Sequence, residues 1–244
     1  MSGYQVFAVA GLPEVAPGDD LGELIAERVE LLDGDVLVVA QKVVSKAEGM
    51  VLDLGKIEPG ERARELAAGL EADPRLIQLV LDQSRRVVRA DRVLIVETVH
   101  GYVCANAGID HSNVPGEDSV TLLPEDSDRS AARLCERLSE RTGRRLAVVV
   151  SDTFGRPWRN GVANVALGVC GIAAAVDYRG RPDDFGRRLD ATVIAVADEL
   201  AAAAELAMGK TARTPVVVVR GLEIEGEPGL GRDLIRPPEL DLFR

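Results

Sequence analysis

The sequence predicts a mixed α+β fold, in which mixed sheets pack against helices without a repeating βαβ order. The first observation is the run Val36-Leu37-Val38-Val39, which is apolar throughout and rich in β-branched residues, as in a strand buried on both faces. The second is the segment 61–82, where Asp73-Pro74 separates two helical patterns. The third is the irregular alternation of strands and helices, which favours α+β over a repeating α/β arrangement.

The elements of the N-terminal half follow from periodicity and from capping residues. Asp20 is predicted as the N-cap of a helix whose apolar positions continue to Leu32. Two further helices are predicted within 61–82. Strands are predicted at five places in this half, namely 6–9, 36–39, 87–88, 93–96 and 102–104.

In the C-terminal half, a helix is predicted from Ser127 or Asp128 to about Arg141, with Gly143 in the position of a C′ residue. A second helix is predicted over 192–208, although its first residues could instead form a strand. The remaining predicted elements are strands at 146–150 and 215–219 and a segment over 221–236 that is mostly loop. No repeat or linker is visible, so 1–244 is treated as one unit that could have two lobes.

Composition excludes several classes of protein. Aromatic residues make up only 3%, which argues against a protein that binds nucleic acid by base stacking, and the net charge of −11 repels nucleic acid and anionic membranes. Three cysteines without a C-x-x-C pair argue against zinc and against a disulfide framework. Because neither a signal peptide nor a membrane-spanning run is visible, we expect a cytoplasmic protein.

Two loops rich in side-chain oxygens follow strand-like runs. Residues 106–113 carry Asp110 between two carboxamides, and residues 151–161 carry Asp152 directly after the run 146–150. Hard cations such as Mg²⁺ and Mn²⁺ take oxygen ligands, so the two aspartates together indicate a metal site. The alternative for each one is an aspartate that only caps a turn.

Two nucleotide-binding motifs are nearly present and fail. Gly209-Lys210-Thr211 matches the end of a P-loop, but Ala204 stands where the motif needs glycine, and a helix precedes it instead of a strand. The glycines within 226–231 do not give G-x-G-x-x-G either. A nucleotide would therefore be held in another way. Lys46 suits a phosphate because it follows the buried strand closely; the alternative is a surface lysine on a helix.

Several segments together point to a known family. They are 11–15, 17–20, 41–49, 106–113, 151–161, 177–180, 197–201, 208–209 and 234–237. In their order and spacing the chain resembles the coenzyme F420-0:gamma-glutamyl ligase family over nearly its whole length. The resemblance implies a family-specific two-lobed ligase fold, an intertwined homodimer, and GTP-dependent addition of L-glutamate to the deazaflavin coenzyme F420-0 through an acyl phosphate.

The resemblance also implies roles for individual residues. It selects Lys46 over Lys42 as the catalytic lysine that meets the nucleotide phosphates. It places Asp110 and Asp152 on Mg²⁺ or Mn²⁺, with Thr153 at a second ion, and K⁺ is a further candidate. The other residues expected at GTP are Leu12, Pro13, Glu14, Val15, Gln41, Asn113, Met208, Gly209, Lys210 and Thr211.

Other assignments leave alternatives open. Arg156 and Arg159 could clamp an anionic acceptor or form salt bridges, and Trp158 could stack on the deazaflavin ring. His111 lies among oxygen ligands, and we expect it at the surface or behind the ligands. Lys210 stands where some relatives carry a metal-binding oxygen, and it cannot bind metal while charged. Two alternative functions therefore stay open, which are a nucleotide-binding protein without ligase activity and a metal-dependent phosphohydrolase.

Overall fold

Helices and strands follow each other irregularly in the structure, a computed structural model that describes residues 3–112, 114, 116 and 118–241. The strands in these ranges are β1 (Gln5–Ala8), β2 (Val36–Ala40), β3 (Val51–Asp53), β4 (Ser84–Ala90), β5 (Leu94–Thr98), β6 (Val103–Ala105), β7 (Ser119–Thr121), β8 (Ala147–Gly155), β9 (Val162–Cys170), β10 (Val176–Asp177), β11 (Val193–Ile194) and β12 (Val216–Arg220). The α-helices are α1 (Leu21–Ala26), α2 (Gln41–Ala47), α3 (Glu61–Leu70), α4 (Pro74–Asp82), α5 (Ser127–Thr142) and α6 (Val196–Met208). The predicted α+β class is confirmed.

A five-stranded sheet forms the centre of the fold, in the order β1-β12-β2-β8-β9. Only the β2–β8 pair is parallel, and the other pairs are antiparallel. Apolar residues of α1, α2 and α5 cover one face, and those of α6 cover the other. The strand β2 is therefore buried on both faces, as its uniformly apolar sequence predicts.

Residues 51–122 form the remaining larger part of the fold between β2 and β8 in the chain. They contain the three-stranded sheet β4-β5-β6 and the two-stranded sheet β3-β7. Helices α3 and α4 pack on these strands around a third apolar cluster, which includes Leu54, Ile77 and Leu94. A separate hairpin pairs β10 with β11. No helix within the described ranges combines the length and apolar character that a membrane crossing needs.

Two helix boundaries differ from the prediction. The side chain of Asp20 accepts a hydrogen bond from Glu23 N, which confirms the N-cap, but α1 ends at Ala26 instead of Leu32. Beyond this end the backbone N–H of Arg28 donates to Ile25 O, and the guanidinium of Arg28 takes the carbonyl of Leu24 that a continued helix would use. The N-cap of α5 is Asp126, not Ser127 or Asp128, since Asp126 accepts from Arg129 N at 3.0 Å.

The first part of the second acidic segment, which contains Asp152, lies in a strand and not in a loop. The predicted strand 146–150 continues to Gly155 as β8, because β9 pairs with it from Val148 to Gly155. The prediction missed β9. It identified correctly that the segment before α6 could be a strand, since β11 ends just before that helix.

A β-bulge interrupts the pairing of β8 and β9. Val150 pairs with Gly168 and Ser151 with Ala166, so Leu167 has no partner on β8. The hydroxyl of Tyr102 donates to Leu167 O at 2.6 Å and satisfies the carbonyl that the bulge leaves. The bulge therefore depends on side chains outside the sheet.

Gly168 allows α5 to approach β9 closely. A Cβ atom at this position would lie 1.9 Å from the carbonyl oxygen of Ser127. We expect Gly168→Ala to lower the free energy of unfolding by ~3 kcal/mol or to prevent folding, because a well-packed backbone contact cannot give way. Chemical denaturation followed by circular dichroism measures this change.

The matched control is Gly155→Ala in the same hairpin. A Cβ atom at Gly155 would meet nothing within 4 Å. This variant should stay within about 0.5 kcal/mol of the wild type. Equal denaturation midpoints for the two variants would contradict the close packing of α5 on β9.

Candidate functional site

The carboxyl ends of the parallel strands β2 and β8 lie at the same edge of the central sheet. Ala40, the last residue of β2, pairs with Ser151, so α2 begins beside Asp152. Asp110 reaches the same edge from residues 51–122, where its backbone forms an isolated bridge with Thr121. Crevices at the carboxyl ends of parallel strands are common ligand sites. Lys42 of α2 contacts Asp110, and the charge of Asp110 acts on Asp152, so the two aspartates lie in the same region. Their metal-binding role stays a prediction.

Asp110 is held by a lysine and a serine. Lys42 Nζ donates to Asp110 Oδ2 at 2.6 Å, and Ser112 donates from its backbone N and from Oγ at 2.7 and 2.8 Å. Burial alone would raise the pKa of Asp110. The hydrogen bonds from Lys42 and Ser112 outweigh that effect and lower the pKa below its ordinary value. Asp110 is therefore an ionised, partnered carboxylate.

Asp152 is the opposite kind of carboxylate. Burial is the main cause that raises its pKa to about 6, and the charge of Asp110 adds to the rise. The backbone N–H of Thr153 and the charges of Lys42 and Lys210 oppose the rise. These mutual effects indicate that all four charged groups share one small region. Cys104 belongs to it as well, because burial and the charge of Asp152 raise the pKa of its thiol to about 12.

Thr153 links this region to the end of α6. Lys210 Nζ donates to Thr153 Oγ1 at 2.6 Å and also lies 2.9 Å from Glu205 Oε1. The hydroxyl of Thr153 donates in turn to Asn164 Oδ1 on β9 at 2.6 Å. Lys210 therefore points towards the predicted metal residues and not away from them.

Two of the expected nucleotide residues, Glu14 and Lys46, pair with each other. Lys46 is 5% exposed, and its ammonium pairs with Glu14. The hydrogen bond from Lys46 lowers the pKa of Glu14, and Arg213, whose guanidinium lies 3.4 Å from Glu14 Oε2, contributes in the same direction. The loop 12–15, helix α2 and the segment after α6 are thus joined through one carboxylate.

The other expected nucleotide residues differ in their surroundings. Gln41 is buried, and its amide donates to Leu122 O at 2.8 Å and to Ser45 Oγ, so in this state it anchors the segment after β7. Val15 and Met208 belong to the apolar clusters on the two faces of the sheet. Pro13, Gly209 and Thr211 are exposed, and Leu12 is partly buried.

The residues expected to bind the acceptor lie further out. The turn of the β8–β9 hairpin begins ~10 Å beyond Asp152, at the ~3.3 Å rise of each strand residue. Arg156, Trp158 and Arg159 are exposed there, and Arg156 donates to Asn160 O. Their roles stay predictions. Asn113 lies outside the described residues, and His111 is exposed.

Sequence reasoning missed two residues of this site. The first is Lys42: the resemblance selects Lys46 over it, yet Lys42 binds Asp110 directly. The spacing of four residues between Lys42 and Lys46 could have indicated it, since such positions lie on the same side of a helix. The second is Arg213, which contacts Glu14. Its position two residues beyond Thr211 is the only sequence feature that could have indicated it.

Fold and site together define an α+β protein with carboxylates and lysines gathered at one edge of its central sheet, a combination typical of enzymes that act on phosphorylated substrates. The chain belongs to the F420-0:gamma-glutamyl ligase family, whose model matches residues 11–221. The resemblance found in the sequence is thereby confirmed.

Several relatives match the chain over nearly its full length, and each is named coenzyme F420:L-glutamate ligase. The protein from Methanothermobacter thermautotrophicus is 44% identical over 252 residues, which cover 99% of both chains. The protein from Methanopyrus kandleri is 46% identical over the whole of both chains, 253 aligned residues. The protein from Archaeoglobus fulgidus is 47% identical over 241 residues, which cover 98% of this chain and 96% of the relative.

Proposed function

We propose that the chain is a GTP- and divalent-metal-dependent ligase that adds L-glutamate to coenzyme F420-0 through an acyl phosphate. The observation that carries the proposal is the convergence of Asp110, Asp152 and Lys42 at one edge of the sheet, in a chain of this family. K⁺ as an additional ion, a homodimer and a cytoplasmic location are parts of the same proposal.

The residues at this edge suit Mg²⁺ or Mn²⁺. The charge of Asp110 makes ionisation of Asp152 less favourable, and a divalent cation between the two carboxylates would relieve that repulsion. No group of three or more His, Cys, Asp or Glu side chains that could hold a metal occurs among the described residues. The remaining ligands would therefore be Thr153, water and phosphate oxygens, as is usual for Mg²⁺ in phosphoryl-transfer sites. When bound, the metal supplies charge neutralisation on the phosphates.

In the proposed reaction the lysines bind the phosphates. Lys42 pairs with Asp110, Lys46 with Glu14 and Lys210 with Thr153. A bound triphosphate would offer each ammonium a stronger anionic partner. The carboxylates would then be available to a metal ion, and the lysines would hold the γ-phosphate for transfer.

The reaction has two steps in this proposal. A terminal carboxylate oxygen of F420-0 attacks the γ-phosphorus of GTP, and the bond to the β-phosphate oxygen breaks, so that GDP leaves. The amine of L-glutamate, after losing a proton, then attacks the acyl carbon, and inorganic phosphate leaves as the amide forms. The charged groups at the sheet edge serve the first step.

One assay tests the function and separates it from its alternatives. The chain is incubated with GTP, Mn²⁺ and F420-0, with and without L-glutamate, while phosphate release and product mass are followed. A mass gain that requires glutamate supports the ligase. Phosphate release without glutamate would indicate a phosphohydrolase, and bound GTP without either product would indicate a nucleotide-binding protein.

Lys210 gives a prediction about the second metal ion. Its ammonium bonds to Thr153 Oγ1, the oxygen expected at that ion, and repels a divalent cation there. We expect Lys210→Gln to lower the Mn²⁺ concentration for half-maximal activity, and to weaken GTP binding because a phosphate contact is lost. Lys56→Gln, at an exposed lysine outside this site, is the control. Unchanged metal dependence together with unchanged GTP affinity would contradict this role for Lys210.

A further inference from the structure

A second cleft lies at the outer edge of β9, next to the site just described. It has a volume of about 240 Å³. Segments 197–201 and 234–237, which the sequence analysis left without a role, both contribute to its lining. Tyr102 and Phe154 form an aromatic wall, with their rings edge to face and their centroids 6.1 Å apart. Since strand side chains alternate, Phe154 points to the same face of β8 as Asp152.

The size of the cleft limits what it can hold. Pockets for drug-sized ligands usually measure ~300–1,000 Å³, so this cleft suits a smaller molecule. A nucleotide and a deazaflavin coenzyme are both too large for it. A single amino acid is of the right scale.

Asp198 offers one carboxylate oxygen to the cleft. Its Oδ1 accepts from Ala166 N at 2.8 Å, which fixes the side chain against the edge of β9. Within the described residues no hydrogen bond is recorded for Oδ2, and the side chain is half-buried. Burial raises the pKa of Asp198, because water does not fully solvate the negative charge. An ammonium group would compensate for that lost solvation.

Arg236 brings a positive charge to the same cleft. It is exposed, and Nη1 makes a long hydrogen bond of 3.3 Å to Leu240 O. A guanidinium has five N–H donors, and among the described residues that of Arg236 bonds only to Leu240 O. Most of its donors can therefore bind a carboxylate. The segment that carries Arg236 is held in place, because Asp128 accepts from Gly231 N at 2.6 Å and from Arg232 Nε at 2.9 Å.

We propose that this cleft is the subsite for L-glutamate, with Asp198 receiving the ammonium group and Arg236 a carboxylate. The proposal rests on the proposed function, which requires a place for the amino acid beside the phosphate-binding edge. A carboxylate and a guanidinium that line the same cleft complement a zwitterion. The aromatic wall that reaches from Tyr102 to Phe154 would lead from this subsite towards Asp152.

The first test is Asp198→Asn in the full chain. Asparagine keeps an oxygen that can accept from Ala166 N, so the edge of β9 stays in place, while the group facing the cleft becomes an N–H donor. We expect the KM for glutamate to rise ~10-fold or more, the size of a lost charge-assisted contact, with the KM for GTP within about twofold of the wild type. Arg236→Gln should behave in the same way.

Matched controls are Glu199→Gln and Arg62→Gln. Glu199 is exposed on the same helical turn as Asp198, and Arg62 is exposed on α3. Both variants should keep the wild-type KM for glutamate. Glutarate, which has the two carboxylates without the amine, is a further probe. Because Asp198 repels an anion without an ammonium group, Asp198→Asn should bind glutarate at least as well as the wild type does, while its affinity for glutamate falls.

Direct binding separates failure of the subsite from failure of the proposed function. Binding of isotope-labelled glutamate is measured by equilibrium dialysis, with Mn²⁺, F420-0 and a non-hydrolysable GTP analogue present. Binding to the wild type that Asp198→Asn weakens supports the subsite, even if no product forms. An unchanged KM and unchanged glutamate binding in Asp198→Asn would overturn it. So would a change in oligomeric state alone, which would assign the cleft to a second copy of the chain.

Discussion

Asp152→Asn should remove most of the ligase activity and at the same time stabilise the metal-free protein. We expect kcat/KM to fall ~10²-fold or more, because in the proposed reaction a neutral amide would replace a charged metal ligand beside the transferring phosphate. The control is Asp190→Asn, which should keep normal turnover. Asp190 is exposed and makes no hydrogen bond or ion pair with the residues that the structure describes. Near-normal activity of Asp152→Asn at limiting Mn²⁺ would contradict the assignment.

The stability change has a defined sign. The folded protein raises the pKa of Asp152 from an ordinary 3.8 to about 6, so ionisation in the folded state is unfavourable. That unfavourable contribution is absent below pH 3.8, grows between pH 3.8 and about 6, and is fully present above. Above pH 6 the free energy of unfolding of Asp152→Asn should therefore exceed that of the wild type by about 3 kcal/mol, and below pH 3.8 the two should not differ. Denaturation with a chelator present, across this pH range, measures the effect.

Asp110 provides the matched comparison. Hydrogen bonds from Lys42 and Ser112 lower its pKa, so Asp110→Asn removes a favourable ion pair and should not stabilise the protein at neutral pH. It should nevertheless lose activity to a similar extent as Asp152→Asn. Two inactive variants with opposite stability changes would distinguish a metal site from a site whose aspartates are only structural. Equal stability changes at pH 7 would contradict the difference between the two carboxylates.

Lys46→Met should lower kcat by ~10²-fold, the usual effect of losing an electrostatic contact at a reacting group. Methionine fills the buried space of the lysine stem, so the effect reports the lost charge and not a cavity. The KM for GTP should change less than kcat, because the ammonium matters most when charge develops on the phosphate.

Lys56→Met is the control for Lys46, since Lys56 is exposed in the short helix Leu54–Lys56. Lys42 cannot serve as a control, because it pairs with Asp110. A Lys46→Met protein that folds normally and turns over like Lys56→Met would show that Lys46 only anchors Glu14.

The sequence was informative where a local pattern determines the structure. The uniformly apolar β2 and the capping side chain of Asp20 both follow from residues next to each other. The strand-like runs before Asp110 and Asp152 predicted that the two carboxylates would meet. Prediction from the sequence failed where a contact between distant residues determines the structure. Lys42 and Asp110 lie 68 positions apart, and neither local sequence indicates the other.

The strand β9 shows a second reason for failure. Apart from Asn164 and Gly168 its residues are all apolar, and the bulge at Leu167 shifts the register, so a period of two is not visible across the strand. The side chains that bond to the backbone around the bulge are Tyr102, which lies just before β6, and Asp198 in α6, so they come from either side of it in the sequence. Such an arrangement depends on tertiary contacts and not on local propensity.

The parallel pairing of β2 with β8 has a consequence for the order in which the protein folds. Residues 51–122, with their own apolar cluster, must be accommodated before β8 can join β2, and pairings between distant segments form slowly. Lys42 precedes this segment, Asp110 lies within it and Asp152 follows it. A collapsed intermediate that contains either part alone would lack one side of the charged edge. The charged edge is therefore complete only after the last of these parts has docked.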